Sequence, residues 1–357
     1  MSPSPAIRVL VADDSATVRE VLVSVMEKDV RFDVVGHAHT GLEAVRLARS
    51  LKPDVITMDV QMPEMDGLAA TERIMAEAPC RILMVCAVSE SHEVDLSIRA
   101  IAAGALEVVA KPSGRGPSMF DWGRQVANAV WLMSEVPVIS RAWPTAPRQA
   151  PRLPRGRVDA VGLVSSTGGP PALAHILGAL PSTFPAPILI AQHMAPGFSA
   201  GLRRWLGSVC SLKVVAAQDR TPCAPGQVLL PPDGHDLEVD AGGRVRLRRN
   251  ESLLCPSGDR LLASLARAFR ERAVGVVLSG MGSDGARGLL DISQAGGETL
   301  VQDELTSVIY GMPKAAAALG GAKRQLPIGD IAPALISLSG AVAARSTPGP
   351  GDPKKSG

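Results

Sequence analysis

IRVLVADDSATVREVLVSVMEK, residues 7–28, carries the pattern that decides the fold of the first half of the chain. The apolar run Ile7–Ala12 stops at Asp13-Asp14, and from Ala16 onward apolar residues return at three-and-four spacing. A buried strand, a polar turn and an amphipathic helix have those periods. Outward from this stretch the alternation repeats. Phe32–His37, Asp54–Asp59, Arg81–Cys86 and Leu106–Ala110 read as strands, and segments such as GLEAVRLARSL (41–51) read as helices between them. Short apolar strands alternating with amphipathic helices predict an α/β domain built on a doubly wound parallel sheet. Its chemistry is expected at the carboxyl ends of the strands.

Those ends are acidic. The first strand ends in Asp13-Asp14, the third in Asp59, and the last runs into Lys111-Pro112. Taken singly, each Asp serves equally well as a helix or turn cap, and Asp14-Ser15 is a candidate N-cap pair. Taken together, three carboxylates beside one lysine repel one another unless a cation shares the site. A hard divalent ion such as Mg²⁺ suits oxygen ligands. One carboxylate can then attack a phosphoryl group while metal and lysine neutralise the developing charge.

VADDSATVRE (11–20), DVITMDVQMPEMDGL (54–68) and VVAKP (108–112) resemble the response-regulator receiver family over roughly residues 6–115. The resemblance implies a flavodoxin-like domain in which Asp59 is phosphorylated by a histidine autokinase or by acetyl phosphate. Asp13 and Asp14 match the acidic pair, and Asp14 and Asp59 match direct Mg²⁺ ligands. Gln61 matches the position that lends a backbone carbonyl, and Lys111 the lysine that pairs with the phosphoryl group. Two positions depart from the family pattern. Cys86 stands where a Ser or Thr hydroxyl normally bonds the phosphoryl group, and Val108 stands in place of a switch aromatic. A thiol is the weaker donor, so chemistry at Asp59 is expected while the strength of the switch is left open.

The second half resumes the alternation with RVDAVGLVSSTGGPPALAHILGAL, residues 157–180. VDAVGLV reads as a buried strand, SSTGG as a sharp turn, and PPALAHIL as a helix with Pro suited to its first turn. Ser166 thus lies beside a helix N-terminus, where backbone N–H groups can hold an oxyanion. The strand APILIAQ delivers His193, and AVGVVLSG leads to Asp284 in the Gly-rich GMGSDG. A serine hydroxyl needs an imidazole to take its proton, and the imidazole needs a carboxylate to fix its tautomer. Three strand ends supply one of each. The bland readings stay available: SSTGGP as a phosphate-binding or structural turn, His193 as a structural histidine, and GMGSDG as a flexible loop. His175 reads as packed or solvent-facing, and His235 as a weaker base in a turn with acidic neighbours.

SSTGGP, QHMAPGF, VLLPPDGHDLEV, SGMGSDGARGL and VIYGMPKAA, in this order, resemble the catalytic domain of chemotaxis protein-glutamate methylesterases over about residues 158–345. The resemblance implies a Rossmann-like α/β domain with Ser166 as nucleophile, His193 as general base and acid, and Asp284 as orienting carboxylate. It puts the oxyanion donors on the backbone N–H groups of Thr167 and Met281, and sets Gly311-Met312-Pro313 beside the cleft. The implied substrate is a glutamate methyl ester, or a glutamine amide, on methyl-accepting chemoreceptors. No metal is called for at this second site. Cys255 stands where the family has an Arg before Pro-Ser, which bears on the receptor segments accepted.

The expected domains are a receiver at 1–134, a Pro/Arg-rich linker at 135–157, a methylesterase domain at 158–345 and a disordered tail at 346–357. A net charge of +2 gives no field for nucleic acid. No apolar run reaches the ~18 residues of a spanning helix, and no secretory signal pattern opens the chain. Five scattered cysteines fit a reducing cytoplasm with neither disulfide nor zinc. The competing reading is a two-component regulator whose C-terminal domain is a weak or inactive docking module.

Overall fold

Alternating strand and helix periods in the first half produce β1 (Ile7–Ala12), α1 (Ala16–Glu27), β2 (Phe32–Ala38), α2 (Gly41–Leu51), β3 (Val55–Asp59), α3 (Gly67–Glu77), β4 (Arg81–Cys86), α4 (Ser91–Ala103), β5 (Glu107–Ala110) and α5 (Met119–Ser134). The structure is a computed structural model and describes residues 5–87, 91–112, 118–134, 136, 157–252 and 254–340. The expected linker, apart from Val136 and Arg157, and the expected tail lie outside the described residues. Observed strands differ from expectation by one residue at an end: β2 gains Ala38, β3 begins at Val55 and β5 at Glu107. Pairing with neighbours, which periodicity does not report, sets those ends.

The receiver sheet is parallel, in the order β2-β1-β3-β4-β5. Its helices start at polar caps. Ser15 accepts the Val18 N–H, Thr40 the Glu43 N–H, and Asp66 the Ala69 N–H. The cap of α1 is therefore Ser15 alone. Asp14 is exposed and joins the acidic cluster instead.

The second half forms β6 (Ala160–Ser165), α6 (Gly169–Ala179), β7 (Ile188–Gln192), α7 (Ser199–Val209), β8 (Lys213–Ala216), β9 (Gln227–Leu230), β10 (His235–Val239), β11 (Val245–Arg249), α8 (Gly258–Phe269), β12 (Ala273–Val277), α9 (Ala286–Gln294), β13 (Glu298–Gln302), α10 (Met312–Ala318), β14 (Arg324–Leu326) and α11 (Ile328–Ser339). The seven-stranded sheet runs β14-β13-β12-β6-β7-β9-β8, all parallel, and β10-β11 is a separate antiparallel hairpin. β6, β7 and β12 are buried along their whole length, as expected of strands covered on both faces. From β6 the chain builds outward through β7 and later returns to β12 on the other side. The carboxyl ends of β6, β7 and β12 therefore meet at a topological switch point, where open α/β sheets place their crevice.

The two halves share buried surface. Val94, Ile98 and Val108 of the receiver join Phe198 and Leu202 in one apolar cluster. The approach of α4 to α7 is close: a Cβ on Gly201 would stand 2.6 Å from Val94 Cγ1. At the rim of that contact Arg204 Nη2 meets Asp95 Oδ1 at 2.6 Å. Among the described residues, no helix is long and apolar enough to cross a membrane.

Candidate active site

Ser166 sits in the turn between β6 and α6, ahead of Gly168, whose φ of +78° allows the chain to swing directly into the helix. Its backbone N–H donates to the Ser279 carbonyl at 3.0 Å, which ties this turn to the end of β12. Gly280 completes that contact. A Cβ there would lie 2.8 Å from Ser166 Cβ, so a side chain would force the two turns apart. On the other side the His193 N–H donates to the Ser165 carbonyl at 2.9 Å.

Gln192, at the end of β7 and 5 % exposed, binds both turns at once. Its Nε2 donates to the carbonyls of Ser166 (2.9 Å) and His193 (2.8 Å), and its Oε1 accepts from Ser165 Oγ (2.6 Å). The amide thus fixes how the backbone of one candidate residue sits against the other. Gln192→Leu keeps the bulk and removes these bonds. It is expected to lower kcat for ester hydrolysis by roughly 10²-fold with KM little changed, as a misplacement of about 1 Å does. Steady-state kinetics on the soluble variant checks this.

The His193 ring is buried, and its Nε2 pairs with Asp284 Oδ2 at 2.7 Å. Nδ1 is then the ring nitrogen left free of Asp284. Asp284 rests on the start of α8, accepting from the amides of Gly258 (2.6 Å) and Asp259 (2.9 Å) and from Ser257 Oγ (3.3 Å). A carboxylate at a helix N-terminus is favoured by the dipole and by the unpaired N–H groups there. Burial alone would raise its pKa. The hydrogen bonds from His193, Asp259 and Gly258 outweigh that and hold the carboxyl below its ordinary value. Asp236, fully buried, steadies the same helix start by accepting the Ser257 N–H at 2.7 Å.

Ser166, Thr167, His193, Met281 and Cys255 line one cleft of about 1020 Å³. His235 lines it as well, with Nδ1 2.9 Å from the Asp233 carbonyl. Met312 packs beneath Gly280. His175 lies half-buried on α6, where burial lowers its pKa. Across the cleft stand receiver residues Glu107, Gln125 and Met133.

The second cluster gathers at the receiver's strand ends. Carboxylate oxygens of Asp13, Asp14 and Asp59 lie within 4.8 Å of one another. Lys111 Nζ stands 2.9 Å from Asp13 Oδ2 and 2.8 Å from Asp59 Oδ1. Burial, then the charge of Asp13, lifts the Asp59 carboxyl to about 7 against the pull of Lys111. Two unit charges about 4 Å apart interact by roughly 4 kcal/mol at an effective dielectric near 20. One ammonium cannot offset three carboxylates at that scale. An all-oxygen donor set with excess negative charge fits a hard divalent cation. Cys86 is fully buried at the end of β4, and Gln61 is exposed just after Asp59.

Three contributors escaped sequence reading: Gln192, the Ser257–Asp259 helix start, and Glu107. Gln192 stood inside the quoted QHMAPGF, and Ser257 has the look of an N-cap before GDRLLASL, so a local signal existed for those two. Nothing local points from Glu107 to a site 60 residues away.

Residues 161–335 match the family model described as CheB methylesterase, and residues 9–117 match the response regulator receiver domain. A protein-glutamate methylesterase/protein-glutamine glutaminase 3 of Myxococcus xanthus is 50% identical over 340 residues, covering 95% of each chain. Number 4 of the same organism is 42% identical over 342 residues, covering 93% of this chain and 96% of that one. Number 1 of Syntrophus aciditrophicus is 42% identical over 349 residues, covering 94% and 99%. Likeness of this extent along nearly the whole length, with a receiver ahead of the catalytic domain, makes the chain a member of the CheB methylesterase family.

Proposed function

We propose that the chain is a phosphorylation-regulated serine esterase that removes methyl groups from glutamate side chains of chemoreceptors in the cytoplasm, and deamidates receptor glutamines at the same site. The observation that carries this is the His193–Asp284 pair at 2.7 Å, with His193 lining the same cleft as Ser166. Asp284 keeps the proton on Nε2, so Nδ1 takes the Ser166 hydroxyl proton as Oγ adds to the ester carbonyl. The backbone N–H groups of Thr167 and Met281 receive the oxyanion. His193 then protonates the departing methoxide, and methanol leaves. A water, deprotonated by the same imidazole, cleaves the acyl-serine and frees the glutamate. A fluorophosphonate probe is expected to attach to Ser166 in the phosphoryl-donor-treated protein, as located by peptide mass mapping. Attachment elsewhere, or none, would count against this assignment.

In the receiver, Asp14, Asp59 and the Gln61 carbonyl would hold Mg²⁺, which when bound neutralises charge on the phosphoryl group. Asp59 is the acceptor, Lys111 pairs with the transferred group, and a histidine autokinase is the donor. Radiolabelled acetyl phosphate with Mg²⁺ is expected to label the wild type, and Asp59→Ala is expected to fall to background. Full labelling of that variant would reject the assignment. Because Glu107 and α5 border the cleft, phosphorylation is read as loosening the receiver from the catalytic domain.

A further inference from the structure

β5 presents one side chain to the candidate catalytic cleft. Glu107 Oε2 accepts a hydrogen bond from Thr167 Oγ1 at 2.6 Å, across 60 positions of sequence and from one domain to the other. Thr167 is the residue next to Ser166. Glu107, Ser166 and Thr167 line the main cleft together, and they also share a small enclosed pocket with Gln192 and Met194. Burial pushes the Glu107 carboxyl above its ordinary value, against the Thr167 hydrogen bond and the charge of nearby His193. The hydroxyl next to the candidate nucleophile therefore already faces a glutamyl side chain, inside the cleft that Ser166 and His193 line.

Resting on the esterase reading above, we infer that Glu107 is an internal product mimic: its side chain occupies the place of the glutamate that ester hydrolysis would leave. The receiver then closes the site with the product's own functional group as well as with bulk. A tethered ligand has an effective concentration on the order of millimolar, so even weak product affinity fills the site in the resting chain. β5 also supplies the link to the switch. The strand that begins at Glu107 leads into Lys111, which touches both Asp13 and Asp59. A phosphoryl group on Asp59 that recruits Lys111 pulls on the strand holding the mimic. Such a mechanism needs no aromatic at Val108, which is buried among the interdomain contacts.

The mimicry is tested on the full chain with methylated receptor membranes, reading methanol release without phosphoryl donor. Glu107→Ala is expected to lower the apparent KM about tenfold with kcat little changed, since removing a competing conformer restores the competent fraction. Arg204→Ala, which loosens the same interface at its rim, is expected to have less than half that effect. Equal effects, or no effect of Glu107→Ala, would overturn the mimicry while donor-activated wild-type turnover keeps the esterase reading intact. Glu107→Gln gives an independent readout, because its amide is placed as an intramolecular substrate. Ser166 Oγ adds to the amide carbon, the C–N bond breaks, ammonia leaves with a proton from His193, and water releases a carboxylic acid. Mass spectrometry is expected to show this amide-to-acid conversion on standing, and none in Glu107→Gln/Ser166→Ala. An amide that persists while the same preparation demethylates receptor would overturn the mimicry. Absence of methanol from every form, with or without donor, would contradict the esterase reading and the mimicry with it.

Discussion

Ser166→Ala is expected to lower kcat for methanol release from methylated receptor by about 10⁵- to 10⁶-fold, the scale on which nucleophile deletion acts in serine hydrolases. The expectation follows from how little else at the site can attack a carbonyl. His193 is committed to Asp284 through Nε2, and Ser165 Oγ is bonded to Gln192. Removing Oγ also leaves the fold intact, because Ser166 is anchored through its backbone to Ser279 and Gln192, and Ala preserves both bonds. KM should stay near the wild-type value. Residual release within tenfold of wild type would remove Ser166 from the nucleophile role.

Asp284→Asn is expected to cost about 10⁴-fold in kcat, as tautomer errors do in such triads. The carboxylate accepts from His193, Gly258 and Asp259 together. An amide that turns its NH₂ toward the ring makes Nε2 an acceptor, and the ring proton moves to Nδ1. Nδ1 can then no longer take a proton from Ser166. The variant also tests linkage. The Asp284 pKa is held below its ordinary value in the fold. Its stabilisation is therefore complete above the unfolded carboxylate value of about 3.9 and is lost as pH falls through the lower, folded value. The Tm gap between wild type and Asp284→Asn should be constant near neutrality and shrink below about pH 4. A gap that widens on acidification would contradict the depressed pKa.

Much of this was legible in the sequence because each element carried its own period. Ile7–Ala12 and Val55–Asp59 are mainly apolar runs, broken only by Arg8 and Thr57, that lead into acids, and a parallel strand buried on both faces reads that way. Ser166, His193 and Asp284 were visible because each follows such a strand. The residues that orient them were not, since their roles exist only after folding. Gln192 is an ordinary strand-end amide until β6 and β7 pair and bring two carbonyls within reach of its Nε2. The α8 amides serve Asp284 only because the helix starts beside the turn after β12. In the sequence Glu107 is one residue of a strand, and its bond to Thr167 depends on one domain docking on another. The departure at Val108 was visible in sequence, but its burial at that interface was not.

The most direct measurement is methanol release from methylated receptor membranes by the wild-type chain, with and without acetyl phosphate and Mg²⁺. Release that depends on Ser166 and rises with the donor is the predicted result. A chain that releases no methanol under either condition, while its receiver is labelled at Asp59, would contradict the esterase account and leave the C-terminal domain as a docking module.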